Sequence, residues 1–168
     1  MIAAEMILNR IFLMPGEYVF VNEKTWISTT LGSCVAMTLW HPRLRMGGMC
    51  HYMLAKRPID MRGTPDGRYA DEAMQLLVSE ASRHADPREF KVKIFGGGRM
   101  YDLLSRGRHE DIGALNIRMA RELVRQYGFT VAAEDVGGIK PRHITFDVNE
   151  GDVWVRHIPN RSIRKSGA

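Results

Sequence analysis

The sequence predicts an α+β fold, with a layered, mixed or antiparallel β-sheet core packed by two main helices. Two observations lead there. Only two stretches, near residues 69–84 and 111–127, carry apolar side chains at helical spacing. Shorter alternating or apolar stretches outnumber them, and most follow one another without a helical crossover, which disfavours a doubly wound parallel sheet.

In chain order, Pro15-Gly16-Glu17 has turn chemistry. Strands are predicted at 18–21 and 25–30, on either side of the polar Asn22-Glu23-Lys24 turn. Residues 34–40 fit either a buried strand or a short helix opening at Cys34, and His41-Pro42 ends the stretch. A strand over 46–54 starts from Gly47-Gly48. Its alternation puts Met49, His51 and Met53 on one face and Cys50, Tyr52 and Leu54 on the other. Pro58, Gly63, Pro65 and Gly67 make 56–68 a polar loop. Ala70, Ala73, Met74, Leu77 and Ala81 form the stripe of the first helix, which Asp86-Pro87 closes.

A strand over 90–95 then runs into Gly96-Gly97-Gly98-Arg99-Met100. This run lacks the glycine spacing and the Gly-Lys-Ser/Thr ending of a nucleotide loop, so it predicts close approach of the backbone to another element. Asp111 is the predicted N-cap of the second helix, with Ile112, Leu115, Met119 and Leu123 as its stripe and Gly128 as its stop. Asn116 falls on the same side and reads as a buried amide in need of partners. A strand over 129–133 and a hairpin of 143–148 with 153–157, around Asn149-Glu150-Gly151-Asp152, complete the sheets.

The chain of 168 residues reads as one domain, with residues 1–14 as an N-terminal extension and 158–168 as a basic, flexible tail. Its net charge of +5 is modest. Apart from Arg156, His157, Arg161, Arg164 and Lys165 the basic residues are scattered, and no zinc-finger, helix-turn-helix or RNA-binding signature accompanies them, so nucleic acid is not the expected partner. No run approaches the roughly 18 apolar residues of a membrane span, and the first residues lack a signal peptide's basic start. Two cysteines do not make a disulfide framework, and a cytoplasmic protein with free thiols is expected.

Chemistry gathers in Ser28-Thr29-Thr30-Leu31-Gly32-Ser33-Cys34-Val35-Ala36 and Gly47-Gly48-Met49-Cys50-His51-Tyr52-Met53-Leu54. A thiol beside an imidazole makes a nucleophile and its base. The Gly32-Ser33 step allows a tight turn before Cys34 and can aim backbone N–H groups at one point, as an oxyanion hole requires. Cys50 is adjacent to His51 along a strand, so the two side chains point to opposite faces and Cys50 reads as a packing residue.

Several ordered pieces resemble the CheD family, the chemoreceptor glutamine deamidases of bacterial chemotaxis. They are Leu31-Gly32-Ser33-Cys34-Val35-Ala36, His51 with Met53-Leu54, Arg68-Tyr69, Lys93-Ile94-Phe95-Gly96-Gly97, Met100, Ile112-Gly113 with Asn116, and Asp135 with Gly137-Gly138 and Arg142. The resemblance implies a cysteine-hydrolase fold similar to that of deamidating toxins and a Cys–His–Thr type of triad. Cys34 and His51 take the first two roles, and the hydroxyl six positions before the cysteine falls on Ser28. Thr30 shares the Ser28 face and is the substitute; Gly32, Ser33 and Asn116 are the supporting residues.

The implied reaction is hydrolysis of receptor glutamine to glutamate through a thioester, with no metal or organic cofactor. The implied substrate is the cytoplasmic helical bundle of chemoreceptors. A non-catalytic module that docks a CheC-type phosphatase through Gly96, Gly97, Gly98 and Met100 is the alternative, and another thiol hydrolase, a methylesterase or transamidase, is a further one.

Overall fold

The computed structural model of the chain describes residues 8–22, 24–61, 63–100 and 111–159. In chain order the elements are β1 (Asn9–Phe12), β2 (Tyr18–Val21), β3 (Thr25–Leu31), β4 (Val35–His41), β5 (Met46–Tyr52), α1 (Ala70–Ser82), a 3-10 turn (Pro87–Glu89), β6 (Lys91–Gly96), α2 (Ile112–Gln126), β7 (Val131–Val136), β8 (Arg142–Asp147) and β9 (Val153–His157). They form three layers. A four-stranded sheet in the order β1-β3-β8-β9 faces a five-stranded sheet in the order β2-β5-β4-β6-β7. The helices cover the other face of the five-stranded sheet.

Both sheets are mixed. β1 runs parallel to β3 and β6 parallel to β7, and the remaining pairs are antiparallel. The expected α+β layering with two helices is therefore present. The open reading of residues 34–40 resolves as β4, the central strand beside β5 and β6. Residues 9–12, read from sequence as part of an extension, are a strand on the edge of the four-stranded sheet. The strand placed at 129–133 begins later, at Val131, where pairing with β6 starts; Phe129 is instead a buried side chain at the end of α2. Residues 160–168 of the predicted tail lie outside the described residues.

Strand alternation divides the apolar residues between two cores. Val35, Met37, Leu39, Cys50, Tyr52, Val92 and Ile94 face the helices and meet Ala70, Ala73, Met74, Leu77 and Ala81 of α1, the predicted stripe. Ile27, Leu31, Ala36, Met49, Phe95, Ile144 and Phe146 fill the space between the sheets.

In α2 the stripe is rotated from the prediction. Gly113, Asn116, Ile117, Ala120, Leu123 and Val124 are buried, and Ile112 is exposed. The reason is close approach at the helix start. A Cβ on Gly113 would stand 2.4 Å from the Gly97 carbonyl oxygen, and one on Gly97 would stand 2.3 Å from Ile117 Cγ1. The glycine loop after β6 and the first turn of α2 thus touch backbone to backbone, and this contact fixes the face α2 presents. Asp111 caps the helix as expected, its carboxylate accepting from Ala114 N–H at 3.1 Å. Among the described residues no helix is long and apolar enough to cross a membrane.

Candidate active site

His51 lies near the end of β5 and, sharing the Met49 face, points between the sheets, where it is 1% exposed. Its backbone is pinned from outside: Gly16 N–H donates to His51 O and His51 N–H donates to Glu17 O. Facing it from the other sheet is Thr29, fully buried on the inward side of β3 with Ile27 and Leu31. Thr29 Oγ1 is 2.7 Å from His51 Nδ1 and also donates to Leu13 O at 2.8 Å.

These two bonds set the tautomer. A hydroxyl has one proton, and the Leu13 carbonyl can only accept it. Thr29 therefore offers His51 a lone pair, Nδ1 carries the hydrogen, and Nε2 keeps its lone pair. Nε2 is buried without a hydrogen-bond partner among the described residues.

Cys34 sits in the turn between β3 and β4, half-buried, and packs against the core between the sheets. In the β4–β5 ladder His51 is opposite Ala36. Cys34 lies two positions before Ala36 and on the same face, which makes it the diagonal cross-strand neighbour of His51. Register and parity thus put Cys34 and His51 on the same face of the five-stranded sheet. Cys50 is fully buried on the helix side, as its parity predicts, and burial pushes its thiol up to about 12.

Electrostatics keep the pair neutral at rest. Burial raises the Cys34 thiol, offset in part by its own backbone N–H beside the sulfur. Burial also lowers His51, to about 4. Burial thus favours a thiol and a neutral imidazole over a standing ion pair.

The hydroxyl that meets His51 is not the one the count of positions selects. Ser28 and Thr30 are on the outer face of β3, where Ser28 Oγ pairs with Thr145 Oγ1 at 3.0 Å and Thr30 Oγ1 with His143 Nδ1 at 3.1 Å. Neither is bonded to His51, because a strand sends neighbours to opposite faces. The signal for Thr29 was in the sequence: it alternates with Ile27 and Leu31, the apolar residues of the strand.

Asn116 supports the site from the helix layer. Its Nδ2 donates to Ser33 O at 3.0 Å and to Met53 O at 2.9 Å, tying the cysteine turn to the end of the histidine strand. Both amide protons are occupied, so Asn116 holds geometry and does not itself provide an oxyanion donor. Gly32 and Cys34 are held by their carbonyls, which accept from Gly98 N–H and Gly97 N–H at 2.9 Å each. Gly96, Gly97 and Gly98 are buried, so these three predicted docking residues have no surface to give a partner. Met100 is exposed, and its side chain lies against Gly32. Among the described residues no three His, Cys, Asp or Glu side chains converge as metal ligands.

Comparison with known proteins bears on this arrangement. The family described as CheD chemotactic sensory transduction matches residues 53–157, a stretch that holds Asn116 and the glycine loop and begins just after His51. Full-length relatives extend the likeness over the cysteine turn. A probable chemoreceptor glutamine deamidase CheD 1 of Chromobacterium violaceum is 46% identical over 156 residues, covering 91% of this chain and 80% of its own. A probable chemoreceptor glutamine deamidase CheD of Pseudomonas savastanoi pv. phaseolicola is 45% identical over 157 residues, covering 92% and 88%. A more distant relative of that name in Leptospira interrogans is 33% identical over 152 residues, covering 86% and 90%.

Proposed function

The chain belongs to the CheD family, and on that footing we propose that it deamidates glutamine side chains of chemoreceptors, with Cys34 as nucleophile and His51 as base. The observation that carries this reading is the inter-sheet Thr29–His51 bond, which puts the hydrogen on Nδ1 and leaves Nε2 of His51 buried with its lone pair unused among the described residues.

His51 Nε2 takes the Cys34 proton as the sulfur attacks the carboxamide carbon. The C=O electrons move to oxygen. Backbone N–H groups of the Ser33–Cys34 turn receive that oxyanion, an interaction worth about 3–4 kcal/mol per donor. The protonated imidazole then gives its proton to the amide nitrogen, the C–N bond breaks, and ammonia leaves a thioester on Cys34. Water loses a proton to Nε2 and attacks the thioester carbon. The C–S bond breaks, the sulfur regains a proton from His51, and the product is glutamate. Thr29 keeps Nδ1–H oriented throughout and touches no reacting atom. The reaction belongs in the cytoplasm, where both free cysteines stay reduced.

The test is incubation of native protein and Cys34→Ala with receptor cytoplasmic fragments, following a gain of about one mass unit per site. Native protein is expected to deamidate and Cys34→Ala to be inactive; equal deamidation by both removes Cys34 from the chemistry.

Met100 and Ile112, exposed on either side of the buried glycine loop, favour a second role. They give that end of the molecule an apolar surface on which a CheC-type phosphatase docks. Capture of such a protein by Cys34→Ala, and its loss in Met100→Asp, is the expected pattern.

A further inference from the structure

We propose that Arg142 is a positioning residue for the Cys34 thiol, acting through a ladder of backbone hydrogen bonds that its buried guanidinium holds in place. The inference rests on the reading of Cys34 as nucleophile.

Arg142 opens β8 opposite Leu31, on the side that faces the other sheet, and is 2% exposed. Its Nη1 donates to Asp135 O at 2.7 Å and to Asp135 Oδ1 at 2.5 Å, and its Nη2 donates to Gly137 O. The Arg142 side chain thus bridges the two sheets, and its three contacts converge on the end of β7 and the turn just after it. His157 Nε2 meets the same Asp135 oxygen from outside at 2.9 Å.

A buried guanidinium is costly to desolvate, and as a rule such a pair adds little net stability over apolar packing. What it supplies is geometry, because a planar fork fixes two acceptors at once. Here the fixed group is the 135–138 backbone. From it the ladder runs inward. Gly137 N–H donates to Gly96 O at 2.8 Å, and Arg99 N–H donates to Gly138 O at 2.8 Å. The loop so held then holds the nucleophile turn, through Gly97 N–H to Cys34 O and Gly98 N–H to Gly32 O. The upper rungs join backbone that carries no catalytic side chain, and the last two reach the nucleophile's own carbonyl and that of Gly32 two residues before it. A displacement at Arg142 reaches the thiol through this ladder, whereas Thr29 and His51 are held by their own bonds to each other and to Leu13.

The test uses the full chain with Arg142→Lys, Asp135→Asn and, as a comparator destabilised in the other core, Met74→Ala. The three readouts are kcat and KM on a receptor fragment, the thermal midpoint, and the rate of Cys34 alkylation by iodoacetamide, followed by peptide mass. Lysine keeps the charge but cannot reproduce the fork. Arg142→Lys is expected to lower kcat about tenfold or more, with KM within about twofold, and to change Cys34 alkylation at least about threefold at temperatures where it is folded. Asp135→Asn, which leaves the carbonyl contacts in place, shifts the same quantities less and carries the test if Arg142→Lys does not fold. Met74→Ala loses thermal stability with native kcat and alkylation.

Native kcat and alkylation in folded Arg142→Lys and Asp135→Asn overturn the proposal, as do equal losses in Met74→Ala. Should Cys34→Ala prove active while Arg142→Lys still alters the alkylation rate, the reaction assignment fails and the ladder stands.

Discussion

Thr29 and His51 belong to different sheets, and their side chains meet at 2.7 Å in the space between them. The bond joins the two sheets at the imidazole that the proposed reaction uses as its base. Thr29→Val, nearly the same shape without the hydroxyl, leaves Nδ1–H and the Leu13 carbonyl without partners. It is expected to cost about 1–3 kcal/mol of stability and to lower kcat about tenfold or more by freeing the imidazole tautomer. Ser28→Ala, on the outer face, should leave kcat within about twofold. Side-by-side turnover of the two variants on a receptor fragment decides between the two hydroxyls.

The acid limb of activity follows from His51. With its lone pair protonated only near pH 4, the base stays available from there upward. The kcat/KM profile is expected to fall on the acid side at about pH 4 rather than near 6.5. Because burial raises the Cys34 thiol, the thiolate absorbance near 240 nm should be missing at pH 7 and emerge only above the ordinary thiol range. A thiolate already present at pH 6 would contradict this neutral resting pair.

The same burial ties stability to pH. An unfolded His51 takes up a proton at its ordinary value of 6.5, and the folded one only at about 4. Between these values the unfolded chain binds more protons, so stability is full above 6.5 and falls as pH drops toward 4. The difference amounts to about 3 kcal/mol. In His51→Asn that contribution should vanish. Urea midpoints of both proteins from pH 7 to pH 4 measure it, and parallel curves would sink the assignment.

Two glycines of positive φ should respond very differently to alanine. At Gly97, φ is +70° and a Cβ would meet Ile117 at 2.3 Å and the Gly113 carbonyl oxygen at 2.9 Å. At Gly138, φ is +74° with nothing within 4 Å. Gly138→Ala is expected to cost about 1–2 kcal/mol for the backbone alone. Gly97→Ala adds steric overlap and should cost about 3 kcal/mol or more in total. Denaturant unfolding of both gives the comparison.

Cys50→Ala should retain native kcat, since Cys50 points to the helices, while losing about 1–2 kcal/mol from that core. Loss of activity without loss of stability in this variant would bring the second thiol into the chemistry.

Much of this was legible in the residues. The alternation of 49–54 separates His51 from Cys50, the α1 stripe is buried as spaced, and the glycine run marks a backbone contact. Asn116 was visible as an amide needing partners, though only the fold supplies Ser33 O and Met53 O. Counting positions from the cysteine selects Ser28, whereas strand parity decides which hydroxyl turns inward, and that is Thr29. The face of α2 was missed because an apolar stripe records what is greasy and not where two backbones touch, and Gly113 sets that. Pairing between β1 and β3 was out of reach, since a four-residue edge strand has too short a pattern to declare itself.

The Leu13 carbonyl, just past that edge strand, is the acceptor that commits the Thr29 proton. Handling of the amino end therefore bears on turnover as well as on yield. A tag, linker or trimming protease that peels the first strand away would let the threonine rotate and scramble which ring nitrogen is protonated. Preparations that differ only at that end are expected to differ in specific activity while showing the same helical circular dichroism.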